Sequence, residues 1–369
     1  MTRVIASRQS ETPHRCRGAR RRLLGLALAI ACTMAGAPTA CADVFDLTLN
    51  RLVLAPLKDP KDPGYESEKF AGPTTPRNIT AAVPSAYRSF VSELGVALAP
   101  GILTPSDTIG YNGFQFDVDY NFTTINNRKC APGDARDKCP WMYSVAGGLD
   151  DAGNAKSPPG FVHTLTVMAR KGIWLPLPSF EIGAGATKML QSDIFAVQVY
   201  AKFALHEGFH DWPLPSIAVR GSAVRVMGSN QLDLTMAQVD ASISKSFGLG
   251  GTVTLVPYLG AAVLFIIARG QVLDLTPEVD AYRQGPMSVD LNNNAVFPSQ
   301  DNIMRWRFFG GFRLNYSILV LSADLIISAC GDLGTNASNR CYDASKAADQ
   351  PHDGAQTQYT FSLGAGFLF

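Results

Sequence analysis

Charge is scarce in this chain: Asp, Glu, Lys and Arg supply 17% of its 369 residues, while 46% are apolar. Soluble domains carry about 25% charge, so the apolar surplus asks for a surface other than a water-facing one. Long hydrophobic runs are lacking as well. Beyond residue 42 the longest, Val253 to Ala268, is interrupted by Pro257 and Gly260 and falls short of the ~20 residues a spanning helix needs. Histidine is equally short, five in all, which leaves little material for acid–base or metal chemistry. No internal repeat beyond a hairpin period and no low-complexity tract occurs.

The amino-terminal region has a clear organisation. Arg15, Arg17 and Arg20 to Arg22 are basic, Leu23 to Ala35 apolar, and Ala40-Cys41-Ala42 small. This order predicts a secretory signal peptide over residues 1–42, with the mature chain starting at Asp43. A lipid on Cys41 is the competing reading, but Pro38-Thr39-Ala40 lacks the bulky aliphatic residue usual three positions before such a cysteine. Without residues 1–42 the chain holds 25 basic and 30 acidic side chains, which argues against a nucleic-acid partner. Four cysteines then remain, and two local disulfides are expected, Cys130 with Cys139 and Cys330 with Cys341. Zinc is the other reading of paired cysteines, but these spacings match no common finger. No metal or cofactor is expected.

What recurs along the chain is alternation. Phe114, Phe116, Val118 and Tyr120 share one strand face, and Gln115, Asp117, Asp119 and Asn121 the other; a helix would mix the two sets. Similar segments lie near 161–173, 179–189, 194–208, 216–228, 232–247, 252–269, 302–314, 317–329 and 357–369. Ten strands with one apolar and one polar face predict an all-β fold: a closed antiparallel transmembrane β-barrel over residues 110–369. Short connections should face the periplasm and the long ones, 124–160, 270–301 and 330–356, the cell exterior.

The closing residues carry a resemblance. Ser362, Gly364, Phe367 and Phe369 occupy the spacing polar, any, Gly, any, any, aromatic, any, aromatic. This resembles the C-terminal assembly signal of bacterial outer-membrane β-barrel proteins. The resemblance implies an outer-membrane location, lipid contact, and insertion by the barrel-assembly machinery through residues 362–369. It implies nothing about cargo.

Residues 43–109 fit the pattern less well. Tyr87, Phe90, Val91 and Leu94 follow helical spacing after a possible cap at Ser85, and the segment reads as a Pro-rich tether with a short helix, below the barrel or plugging it. Making strands of 44–54 and 89–98 instead would give twelve.

Catalytic readings are weak. His206-Glu207-Gly208-Phe209-His210 matches the zinc-protease pattern, whose chemistry needs both histidines on one helix face; here the motif follows an alternating strand. Ser242, Ser244 and Ser246 face inward beside Asp240, as a polar lumen wall would require without catalysis. No enzymatic function is expected. The inward register offers Asp117, Asp119, Glu181, Asp240 and Asp324 against Arg170, Lys202, Arg220, Arg305, Arg307 and Arg313. Arg305, Arg307 and Arg313 could form a basic ladder selecting anions, or could pair with acids across a narrow bore. Two functions follow. One is a narrow pore for small solutes, with Val256, Ala262 and Leu264 as the wall of a hydrophobic-ligand variant; the other is a closed barrel that binds a partner through disulfide-pinned loops.

Overall fold

The computed structural model describes residues 43–53, 82–102, 104–128, 139–148, 156–174, 179–207, 214–274, 294–331 and 353–369. Ten strands pair in antiparallel sequence: β1 (Phe114–Thr124), β2 (Phe161–Ile173), β3 (Phe180–Met189), β4 (Phe195–His206), β5 (Ser216–Met227), β6 (Leu232–Ser244), β8 (Val253–Gly270), β11 (Gln300–Tyr316), β12 (Leu319–Ser328) and β13 (Gln358–Leu368). Pairing of β13 with β1 and of β11 with β8 closes the sheet into a barrel. The ends of these strands lie within three residues of those expected from alternation. A three-residue strand, β7 (Phe247–Leu249), folds back on β8, and β9 (Leu273–Asp274) pairs with β10 (Asn294–Ala295).

Period-two alternation works here because the two sides of the wall are different solvents. Along β13, Tyr359, Phe361, Leu363 and Phe367 are exposed, and Gln358, Thr360 and Ser362 are buried. The same rule holds on β1 and on β5 from Ser216 to Ala223, so apolar side chains form an outer belt of the kind a bilayer covers. The barrel's ends also differ. Between 124 and 161, 270 and 300, and 328 and 358 the connections are long, and they share one end with the short turns 190–194 and 228–231; the opposite end has only short ones. We call these the loop end and the turn end. Phe369 lies at the turn end, where its backbone N–H donates to the carbonyl of Phe114 at 2.8 Å and its carbonyl accepts from the Phe114 N–H at 2.9 Å. Ser246 is exposed beyond the end of β6, which corrects its expected inward placement: the two-residue period stops at Ser244 and the chain turns toward β7.

The described residues before β1, 43–53, 82–102 and 104–110, pack inside the barrel and at its loop end, together with residues 139–148 of the connection after β1. Three helices, α1 (Asn50–Val53), α2 (Ala82–Ala97) and α3 (Pro140–Ser144), sit at the loop end. Neither expected alternative strand, 44–54 or 89–98, forms, and the helix starts at Ala82 rather than after Ser85. Ser85 lies within α2, where its carbonyl accepts from Ser89 Oγ at 2.8 Å. The helical stripe of Tyr87, Phe90, Val91 and Leu94 is fully buried, because it meets apolar inner-wall residues such as Leu234, Leu264 and Ile266. Gly95 lets the helix approach closely, since a β-carbon there would stand 2.7 Å from Ile266 Cδ1.

Candidate functional site

The candidate site is the bore and the chain segment running through it. After α2, residues 98–102 and 104–110 cross from the loop end to the turn end without regular structure. An irregular backbone buried away from water must find partners for its N–H and C=O groups, and here the wall supplies them. Arg307 Nη1 donates to the Pro100 carbonyl at 3.2 Å, and Arg220 Nη1 to that of Gly101 at 3.0 Å. Lys202 Nζ donates to the carbonyls of Pro105 at 3.3 Å and Asp107 at 2.9 Å. Further down, Ser244 Oγ accepts from the Ser106 N–H at 3.0 Å, Glu207 Oε1 from the Thr108 N–H at 2.9 Å, and Glu181 Oε2 from the Ile109 N–H at 3.1 Å. The wall thus reads the thread by its backbone, which accounts for the small and apolar side chains of Gly101, Ile102 and Pro105.

All eleven charged residues of the inward register are at most 5% exposed. Six of them pair in a belt around the wall, which Arg307 and Arg313 join through glutamine side chains. Arg170 Nε lies 2.9 Å from Asp117 Oδ2, Lys202 Nζ 3.1 Å from Glu181 Oε2, and Arg220 Nε 2.9 Å from Asp240 Oδ2. Tyr200 bridges two of these pairs: its hydroxyl donates to Glu181 Oε1 at 2.6 Å, and Arg220 sits over its ring. Arg307 donates to Gln238, and Arg313 Nη2 donates to Gln115 Oε1 at 2.5 Å. Asp119 and Asp324 complete the acidic side, beside the glycines of β13. A β-carbon on Gly364 would stand 2.4 Å from both Asp119 Oδ1 and Ser322 Oγ, so this residue of the expected assembly signal also makes room inside the barrel. Ser362 is buried, whereas Phe367 and Phe369 are exposed.

The ladder of Arg305, Arg307 and Arg313 is not an open row of cations: its donors are taken up by backbone carbonyls and by glutamine, asparagine and serine side chains. Arg305 donates to the carbonyls of Ala329 at 2.6 Å and Gln356 at 2.8 Å and to Ser92 Oγ at 2.8 Å, so it ties α2 to the connection before β13. Val256, Ala262 and Leu264 are buried on the inner wall, Leu264 against the stripe of α2. The zinc-protease motif is divided: His206 ends β4, Glu207 holds the thread, and residues 208–210 lie outside the described residues. Ser179 Oγ also donates to Glu207, at 3.0 Å. Cys139 and Cys330 are each disulfide-bonded, while Cys130 and Cys341, their expected partners, lie outside the described residues.

Above the belt, a compact cap fills the loop end. Phe45, Leu49, Phe90 and Trp141 are fully buried, with Trp141 edge-on to Phe90 at 4.9 Å and to Phe45 at 6.2 Å, and Tyr87 stacks on Phe297 at 4.4 Å. Glu93 of α2 organises the polar contacts. Its carboxylate accepts from Trp141 Nε1 at 2.7 Å, the Asn126 N–H at 2.9 Å and the Gln356 N–H at 3.0 Å. Burial raises the pKa of Glu93 above the ordinary carboxylate value, with those hydrogen bonds and Arg305 opposing. Burial likewise raises Asp353, opposed by Arg305 and by Ser92, whose Oγ donates to it at 2.8 Å. The sequence reading passed over Glu93 and Trp141. The available signal was the run Pro140-Trp141-Met142-Tyr143, apolar within an otherwise polar connection.

No family model and no curated protein matches this chain. Among solved structures it is similar to Ail, the attachment invasion locus protein of Yersinia pestis (10% identity, 70% of this chain and 99% of that one, TM-score 0.23). It is similar too to the translocator domain of the autotransporter NalP from Neisseria meningitidis (10%, 71% and 89%, 0.31) and to an outer membrane channel from Pseudomonas putida F1 (10%, 73% and 99%, 0.28). The architecture is a closed, ten-stranded antiparallel β-barrel.

Proposed function

We propose that this protein is a bacterial outer-membrane barrel held shut by its own chain, acting at the cell surface through its cap and long loops by binding a partner. In this reading residues 1–42 are removed on export, the barrel-assembly machinery recognises residues 362–369, the turn end faces the periplasm and the loop end faces outward. Disulfides Cys130–Cys139 and Cys330–Cys341 pin the outward loops. The observation that carries the reading is the thread at 98–110, which uses the wall cations Lys202, Arg220 and Arg307 as donors to its own carbonyls. Cations spent on the thread do not select ions.

A second reading is a gated pore for small solutes. It is favoured by the way the thread is held, through side chains of the wall rather than by strand pairing, so that it can shift within the bore without unpairing strands. Single-channel recording in planar bilayers separates the two. No conductance from the intact protein, and steady conductance after deletion of residues 43–109, is the outcome expected for a bore closed by the chain before β1; steady conductance from the intact protein would overturn it. Opening of the intact protein by an added solute would select the pore.

A further inference from the structure

The outer wall of the barrel is apolar except in one sector. Beyond the irregularity between Gln300 and Ile303, the outward positions of β11, β12, β13 and β1 carry no charged side chain. Apart from Lys171 near the turn end of β2, the outward charges of the other strands gather at the loop end. They are Lys188 on β3, Arg225 on β5, Asp233 on β6 and Arg269 on β8. Asp301, exposed at the start of β11, bounds the sector on that side.

Register places these groups together. Lys188 is the partner of Phe195, Phe195 of Met227, and Asp233 of Arg269. Arg225 pairs with Thr235, so the same ladder extended by one step sets Asp233 opposite Met227. Lys188 and Arg269 therefore end one row that runs around the wall, and Arg225 lies between them two residues below the row, about 12 Å from each by strand spacing and rise. Arg225 Nη2 lies 2.7 Å from Asp233 Oδ2 while the Arg225 side chain stays 52% exposed. Lys188 and Arg269 are exposed, and neither is in an ion pair among the described residues. Beside Arg225, Ser229, Asn230 and Gln271 line a shallow cavity at the rim. Phe195 and Met227 stand within the row itself, Val197 level with Arg225 and Phe265 below Arg269, each about two-fifths exposed, as suits contact with acyl chains.

A surplus of three cations over the two acids Asp233 and Asp301, on a face that otherwise meets hydrocarbon, is costly unless an anion of the bilayer surface meets it. Lysine and arginine stems reach along apolar wall to bring their heads to that surface, and a guanidinium matches two phosphate oxygens at once. We propose that Lys188, Arg225 and Arg269 bind the phosphorylated headgroup of lipid A in the outer leaflet, with Ser229 and Asn230 facing its sugars. The proposal rests on the outward orientation of the loop end. It fixes how the barrel sits: one side of the wall is held to lipid headgroups, and the side from β11 to β1 is left to ordinary apolar contact.

The test is native mass spectrometry of the full protein, titrated with phosphatidylethanolamine vesicles containing bisphosphorylated lipid A. Wild type should retain lipid A, and Lys188→Gln/Arg269→Gln, which leaves the Arg225–Asp233 pair intact, should retain it at least tenfold less while keeping heat-modifiable gel migration. Lipid A stripped of its phosphates should bind wild type as weakly as the intact lipid binds the variant, an arm that needs no mutant to fold. Equal retention by variant and wild type, or equal binding of the stripped lipid, overturns the proposal. Displacement of lipid A by inorganic phosphate would identify a site for free anions and overturn it too. Orientation is tested separately by labelling Asn230→Cys in intact cells with an impermeant maleimide. Absence of labelling refutes the outward loop end, whatever the purified protein binds.

Discussion

Replacing Lys202 by methionine should loosen the thread without dismantling the wall. Lys202 Nζ makes three contacts, to Glu181 at 3.1 Å and to the carbonyls of Pro105 at 3.3 Å and Asp107 at 2.9 Å. Methionine fills similar volume but leaves a buried carboxylate and two carbonyls short of a donor. Removing one partner of a buried pair costs about 3–5 kcal/mol. That cost falls on the docked state, because withdrawal of the thread admits water to Glu181. A loss of about 4 kcal/mol shifts the docked-to-undocked ratio roughly a thousandfold. In planar bilayers the wild type is expected to be silent and Lys202→Met to show repeated openings. Glu181→Gln/Lys202→Met removes the stranded charge and retains only the loss of donors, about 1–3 kcal/mol, so its openings should be rarer. Silence of Lys202→Met, or openings no more frequent than those of the double variant, would refute this account of how the bore is closed.

Gly364→Val should lower the yield of heat-modifiable barrel, since its β-carbon would press on Asp119 and Ser322 and overpacking costs about 1–3 kcal/mol; normal yield would mean that the wall relaxes there. Phe369→Asp should reduce the amount of protein in the outer membrane of cells while refolding in detergent stays near normal, as expected if the exposed aromatic serves recognition during insertion. Docking of the cap should weaken as pH rises. The pKa values of Glu93 and Asp353 are raised by burial, so their contribution is full below the ordinary carboxylate pKa of about 4 and is lost as pH climbs through the raised values. Near-UV circular dichroism of the Trp141 cluster during urea titration at several pH values checks this, and Glu93→Gln should flatten the dependence.

Much of the barrel was legible because alternation is a local signal with a strong physical cause. Phe114 to Asn121 shows both faces within eight residues, and the same reading assigned Arg170, Glu181 and Lys202 to the inside, where they are buried. The stripe of Tyr87, Phe90, Val91 and Leu94 likewise announced a helix, although its first turn at Ala82 carried no capping residue to mark it. The partners of the inward cations were not legible. Arg307 meets the carbonyl of Pro100, 207 residues away in sequence, and a carbonyl has no signature because every residue owns one. Charge counting suggested acids or anions; Arg170, Lys202 and Arg220 do meet acids, but the acceptors that hold the thread are backbone carbonyls. Glu207 misled in the opposite way: its motif pointed to zinc chemistry, yet its carboxylate is spent on Thr108 and Ser179.

The thread also constrains the order in which the molecule can be made. A ring of ten strands, once closed, admits a backbone only end-first. Here the thread leaves the bore at Gly110–Gly113 and enters β1 directly, beside the β13–β1 seam that Phe114 and Phe369 hold with two hydrogen bonds. The last seam to close is thus next to the point where the enclosed chain emerges. Strands β1 to β12 can curl around residues 98–110 while that side is open, and β13 then ties the loop shut, as a belt is fastened around something already in place.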